Sequence, residues 1–184
     1  MSDVTCRSAF IKWSIPERWT ESGENKYLEF DISDNDFRYE VFISDRTRPE
    51  NRFKSIFLGT ALSCRVKDLK PGTSYGISFC AMLNEVKGNT STPTFFTTLP
   101  GEPDAPLSPR AVTRNRNALT FKWNAPNDNG SKISTYLLEY DEGKGGSHFV
   151  KGYRGKNKQC TVSRLQPAYS YQFRLAAINE IGQR

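Results

Sequence analysis

One histidine, His148, occurs in the 184 residues. A Ser/His/Asp or Cys/His nucleophile set has no other candidate base. Its setting, Gly145-Gly-Ser-His-Phe149, reads as an exposed loop or strand edge. Cysteine is nearly as scarce, with Cys6, Cys64, Cys80 and Cys160 and no Cys-x-x-Cys pair, so the spacing of a structural zinc site is absent. Four cysteines are also few for a secreted two-domain chain that relies on disulfides. No apolar run reaches the roughly 20 residues of a membrane span, and Met1 to Cys6 carries no apolar signal-peptide core. The glycines match no phosphate loop. Arg-Gly-Asp is missing, which removes that route to integrin binding, and so is the Trp-Ser-x-Trp-Ser signature. No helical periodicity of useful length occurs. These absences leave no catalytic, metal or cofactor site to expect.

Hydrophobic residues make up 36% and aromatics 12%, enough for real cores. The formal charge is +6. Lys144, Lys151, Arg154, Lys156, Lys158 and Arg164 gather loosely, without a dense run or a nucleic-acid motif, and read as a solvated face.

The chain repeats itself. Arg7-Ser-Ala-Phe-Ile-Lys-Trp13 parallels Asn117-Ala-Leu-Thr-Phe-Lys-Trp123, and Leu69-Lys-Pro71-Gly-Thr-Ser-Tyr75 parallels Leu165-Gln-Pro167-Ala-Tyr-Ser-Tyr171. The tryptophans lie 110 residues apart and the leucines 96, so the first copy holds extra residues between these landmarks. Between the copies, Pro100, Pro103, Pro106 and Pro109 forbid regular ladder pairing and predict a short, stiff linker. The predicted organisation is a first repeat over 1–99, a Pro-rich linker over 100–106 and a second repeat over 107–184.

Alternation at period two predicts half-buried strands. Ala9, Ile11 and Trp13 share one face, as do Leu119, Phe121 and Trp123. Tyr39, Val41 and Ile43 correspond to Tyr136, Leu138 and Tyr140; Tyr75, Ile77, Phe79 and Ala81 correspond to Tyr171, Phe173, Leu175 and Ala177. Asn127-Asp-Asn-Gly130, Gly143-Lys-Gly-Gly146 and Pro71-Gly72 supply turns. Two such faces stacked together make an all-β sandwich. The expected core is Trp13, Tyr39, Leu69, Pro71 and Tyr75 in the first copy, and Trp123, Tyr136, Leu165, Pro167 and Tyr171 in the second.

The stretch Leu165-x-Pro167-x-x-x-Tyr171-x-Phe173-Arg-Leu175-Ala-Ala177-x-Asn179-x-x-Gly182 resembles a fibronectin type III domain. Its Leu-x-Pro-x-x-x-Tyr spacing is similar to the tyrosine corner, in which a Tyr hydroxyl pins a crossover between sheets. A narrower likeness is carried by Ala125-Pro126-Asn-Asp128-Asn129-Gly130-Ser131-Lys132-Ile133 with Tyr136-Leu-Leu-Glu139-Tyr-Asp141-Glu142-Gly143-Lys144. In the first copy it is carried by Val4 to Phe10, Asp68-Leu-Lys-Pro71 and Asn84-Glu-Val86-Lys87-Gly88. The chain is similar there to the first two repeats of the fibronectin type III domain-containing protein 3 family. The resemblance implies tandem immunoglobulin-like β-sandwiches, the first with a truncated first strand and the second without its last strand. It also implies a non-catalytic protein-interaction and spacer module of a multi-repeat scaffold linked to adhesion or differentiation. An anchor outside this chain would hold the scaffold on endoplasmic reticulum or Golgi membranes with its repeats facing the cytosol. The expected partners are proteins, with no nucleic acid, no direct membrane contact from this segment and a monomeric state. The alternatives are an extracellular adhesion or receptor ectodomain, or a repeat pair of a sarcomeric giant protein, since Asp128-Asn-Gly-Ser-x-Ile133 with Tyr136-x-x-Glu139 is similar to those domains as well.

By parity Cys64 and Cys160 point inward beside Val66 and Val162, whereas Cys80 points away from the core; all four thiols read as free. Asp31, Asp34 and Asp36 read as solvated turn carboxylates. Sequons fall at Asn89-Thr-Ser91 and Asn129-Gly-Ser131, and they discriminate between compartments. The long segment from Pro16 to Phe37 carries Trp19, Tyr27 and Phe30, a possible partner-binding loop or else a cap on the sandwich.

Overall fold

The computed structural model describes residues 3–14, 37–48, 50, 52–83 and 85–184. It divides into two compact units, Met1–Leu99 and Pro100–Arg184. No helix occurs among the described residues, and all strand pairs are antiparallel.

The first unit contains β1 (Ala9–Lys12), β2 (Phe37–Asp45), β3 (Lys54–Gly59), β4 (Ser63–Val66), β5 (Ser74–Leu83), β6 (Val86–Thr90) and β7 (Thr94–Thr97). One sheet pairs β1 with β4; the other runs β3-β2-β5-β6, with β7 also on β5. The apolar period of two turns Ala9, Ile11, Val41, Val66, Leu69, Tyr75 and Ile77 into one buried cluster between the sheets. Trp13, Ile43, Phe57 and Phe79 pack on it while partly exposed.

The second unit contains β8 (Arg110–Asn115), β9 (Ala118–Lys122), β10 (Thr135–Tyr140), β11 (Val150–Gly155), β12 (Gln159–Ser163) and β13 (Phe173–Ile178). Its sheets run β12-β9-β8 and β11-β10-β13. Phe121, Trp123, Tyr136, Leu138, Cys160, Val162, Leu165 and Ala177 are buried together. On the outer edge of β13, Gln183 bridges Ile178, and Ala177 and Arg184 exchange backbone hydrogen bonds of 2.8 and 3.0 Å.

The two units use one register. Tyr39 lies opposite Gly59 and Ala81, and Tyr136 opposite Gly155 and Ala177. Both second-sheet edges bulge at the same place, between Val41 and Phe42 and between Leu138 and Glu139. The residues from Gly101 to Asp104, read from sequence as linker, are held on the second unit. Gly101 N–H donates to Asn129 O, Asp104 N–H donates to Asn127 O, and Pro103 is fully buried.

Candidate interaction surfaces

Both corners are closed as the spacing implies. The Lys70 amide donates to the Tyr75 hydroxyl at 2.9 Å, and the Gln166 amide to the Tyr171 hydroxyl at 2.8 Å. The crossover from Leu69 to Tyr75, and from Leu165 to Tyr171, is thereby tied to the strand that follows. Each corner needs one left-handed residue just after its proline, Gly72 at φ 55° and Ala168 at φ 66°.

Tyr39, Leu69, Pro71, Tyr75, Trp123, Tyr136 and Leu165 are buried. Three expected core residues sit differently. Trp13 is half-buried, held edge-on by Tyr39 and Phe57, with ring centroids 6.0 and 5.5 Å away. Tyr171 is half-buried, with its ring against Tyr140 and Phe173. Pro167 is exposed, although its counterpart Pro71 is buried. The reason is a strap. In the first unit Thr98 Oγ1 donates to Lys70 O and the Gly72 amide donates to Leu99 O, so the chain leaving β7 covers Pro71. No such strap lies over Pro167 among the described residues.

All four cysteines are free. Burial pushes the Cys160 thiol up to about 11 and also raises that of Cys64, so neither is a ready thiolate nucleophile. Parity gives the direction of Cys80 but not its cover. The side chain faces away from the core cluster as its position dictates, yet it is 3% exposed. It sits mid-sheet on β5, where its Sγ–H donates to Gly88 O at 3.2 Å and the Glu40–Lys87 pair, at 2.7 Å, spans the neighbouring strands.

Two polar clusters had no clear signal in the sequence. Asp141, 1% exposed, accepts backbone N–H bonds from Gly143, Gly146 and Gln172 at 3.1, 2.8 and 2.9 Å. The Gln172 bond, with those from Gly143 and Gly146, holds its carboxyl below the usual carboxylate range despite burial. Asn179, 5% exposed, donates to the Gly101, Asp128 and Ser131 carbonyls and accepts from the Ile181 and Gly182 amides. The turn chemistry of Asp-x-Gly and Asn-x-x-Gly was the available cue; the distant partners Gln172 and Gly101 were not.

Among the described residues no group of three His, Cys, Asp or Glu side chains could hold a metal ion, and His148 is exposed. Trp19, Tyr27, Phe30, Asp31, Asp34 and Asp36 lie outside the described residues. The sequons differ. Asn89 is exposed on β6, whereas the Asn129 side-chain amide is spent on Glu102 O and Asp104 Oδ1 at 2.6 and 3.0 Å. A groove of about 690 Å³ lies in the first unit beside β3, with Ile43, Ile56, Val66 and Leu69 among its lining residues.

Stacked antiparallel sheets closed by a tyrosine corner, built twice with one register, define a tandem pair of fibronectin type III β-sandwiches. Residues 104–184 match the fibronectin type III domain model. The chain is 40% identical over 181 residues to fibronectin type-III domain-containing protein 3A of Mus musculus, covering 98% of this chain and 15% of that protein. It is 42% identical over 182 residues to protein 3a of Gallus gallus, covering 99% and 15%. It is also 30% identical over 131 residues to proto-oncogene tyrosine-protein kinase ROS of Mus musculus, covering 67% and 6%. The chain belongs to the fibronectin type III domain-containing protein 3 family, and it spans about 15% of the length of the 3A relatives.

Proposed function

We propose that this chain is a non-catalytic protein-interaction and spacer module of a multi-repeat, membrane-anchored scaffold whose repeats face the cytosol. The observation that carries the reading is the doubled frame. Each unit is closed by its own tyrosine corner. Each presents edge strands and loops rather than converging acid, base and nucleophile groups among the described residues. Four free cysteines suit a reducing compartment.

The test has two arms. Proximity labelling is run on the parent protein in cells, with and without residues 1–184. Loss of a defined set of neighbours on deletion is the expected result; an unchanged set overturns the interaction role. The second arm reads Asn89, because its sequon is exposed while Asn129 is already engaged. No glycosidase-sensitive mass at Asn89 is expected. A glycan there replaces the cytosolic reading with the extracellular one.

A further inference from the structure

Among the described residues, each unit has a sheet that ends in an edge strand of six residues, β3 in the first and β11 in the second. Their matched register makes each a control for the other. Opposite Phe42 and Glu139 stand Ser55 in β3 and Lys151 in β11. Opposite Glu40 and Leu137 stand Leu58 in β3 and Arg154 in β11. At the bulge between these positions, β3 carries Ile56 where β11 carries Gly152. Charged outward residues are the usual protection of an edge strand, since its unpaired N–H and C=O groups otherwise template another strand. β11 keeps two such charges. β3 has an exposed leucine (51%) and isoleucine (37%) instead, flanked by the exposed Phe53 and Leu62.

The ground beside that edge is charged. The groove along β3 is lined by five basic and three acidic side chains. Asp45 is already paired with Lys70 at 2.9 Å and Arg48 at 3.4 Å, and Glu50 with Arg52 at 3.3 Å. Lys54 and Lys67 have no carboxylate partner among the described residues, against a single acid of the lining, Asp68, that likewise forms no ion pair there, so the unpaired balance is basic. Pairing β3 with β3 of a second copy would bring two such basic rims together. An acidic strand meets them with opposite charge.

We infer that β3 is a docking edge for an extended protein segment that alternates apolar and acidic residues. The segment's backbone adds to the sheet as a further strand, its apolar side chains lie against Leu58 and Ile56, and its carboxylates reach Lys54 and Lys67. This rests on the interaction-module reading above and names the kind of partner.

The probe is an acetylated, amidated hexapeptide alternating valine and glutamate, titrated into the isotope-labelled full chain and followed by amide chemical shifts. A lysine-for-glutamate peptide is the control. Shifts concentrated on Lys54–Gly59 with the glutamate peptide alone are expected. The double substitution Ser55→Lys with Leu58→Arg installs residues that the second unit carries on the same frame, so folding is expected to survive, as an unchanged Tm verifies. It is expected to weaken the peptide about tenfold or more. Several results overturn the proposal: equal binding of both peptides, shifts elsewhere, none at millimolar peptide, or a dimer built on β3. So does binding that emerges only once residues 16–36 are deleted, because the chain's own alternation at Leu28-Glu-Phe-Asp-Ile32 would then be the occupant. Failure here with neighbours still lost in the proximity experiment leaves the interaction role standing and removes only this edge.

Discussion

Trp123 and Trp13 occupy the same position in the two repeats and are sealed to different degrees. Trp123 is 5% exposed and meets Tyr136 and Tyr153 edge-on at 5.7 and 5.9 Å. Removing it leaves a cavity as well as lost transfer energy, so Trp123→Ala is expected to cost about 3–5 kcal/mol. Trp13→Ala removes a ring that is only partly buried and is expected to cost about 1–3 kcal/mol. Denaturant unfolding of the two variants checks the order, and equal costs would refute it. At the corners, Tyr75→Phe and Tyr171→Phe each delete one hydroxyl acceptor while keeping the ring. Each is expected to lower the stability of its own unit by about 1 kcal/mol, read as a shift of that unit's transition.

Asp141 shows how one side chain fixes an element. It closes the turn between β10 and β11 through Gly143 and Gly146, and it reaches across to the Gln172 amide just before β13. Gln172 and then the glycines hold its folded pKa below the ordinary carboxylate value. Its stabilising contribution is therefore present above the unfolded pKa of about 3.9 and is lost as pH falls through the folded value. Melting the second unit from pH 7 down to pH 2 is expected to show this acid loss in the native chain. Asp141→Asn should be less stable at neutral pH, with the gap to the native chain closing in acid. A gap that is constant with pH removes the carboxylate from the account.

At the same scale, the strand faces were legible because alternation is local: Ile11, Val41, Ile77 and Leu138 are each less than 2% exposed where period two places them inward. Asp141 was not legible, because Asp-Glu-Gly reads as a solvated turn and its burial depends on a residue 31 positions away. The burial of Cys80 and the exposure of Pro167 were not legible for the same reason. Parity and spacing give a side chain's direction, but its cover comes from neighbouring strands or from a strap such as Thr98–Leu99. The contrast between β3 and β11 becomes legible only once the register aligns Leu58 with Arg154.

At the scale of the whole chain, each unit encloses its own apolar cluster, so each is expected to unfold as its own cooperative unit. Asn179 tests that partition. It gathers the carbonyls of Gly101, Asp128 and Ser131 and fixes the Ile181–Gly182 turn, so that the segment entering the second unit, a neighbouring loop and the turn after β13 share one buried side chain. Asn179→Ala leaves the buried Gly101 carbonyl without its donor, frees the Ile181 and Gly182 amides, and is expected to cost the second unit about 2–3 kcal/mol. Calorimetry of the full chain should show one transition moving down and the other staying in place. Hydrogen exchange should quicken at the Gly101 amide, which donates to Asn129 O, and remain unchanged at Ile77 in the first unit. If both transitions fell together, the stability of the units would be coupled, and a substitution in one repeat could no longer be assigned to that repeat alone.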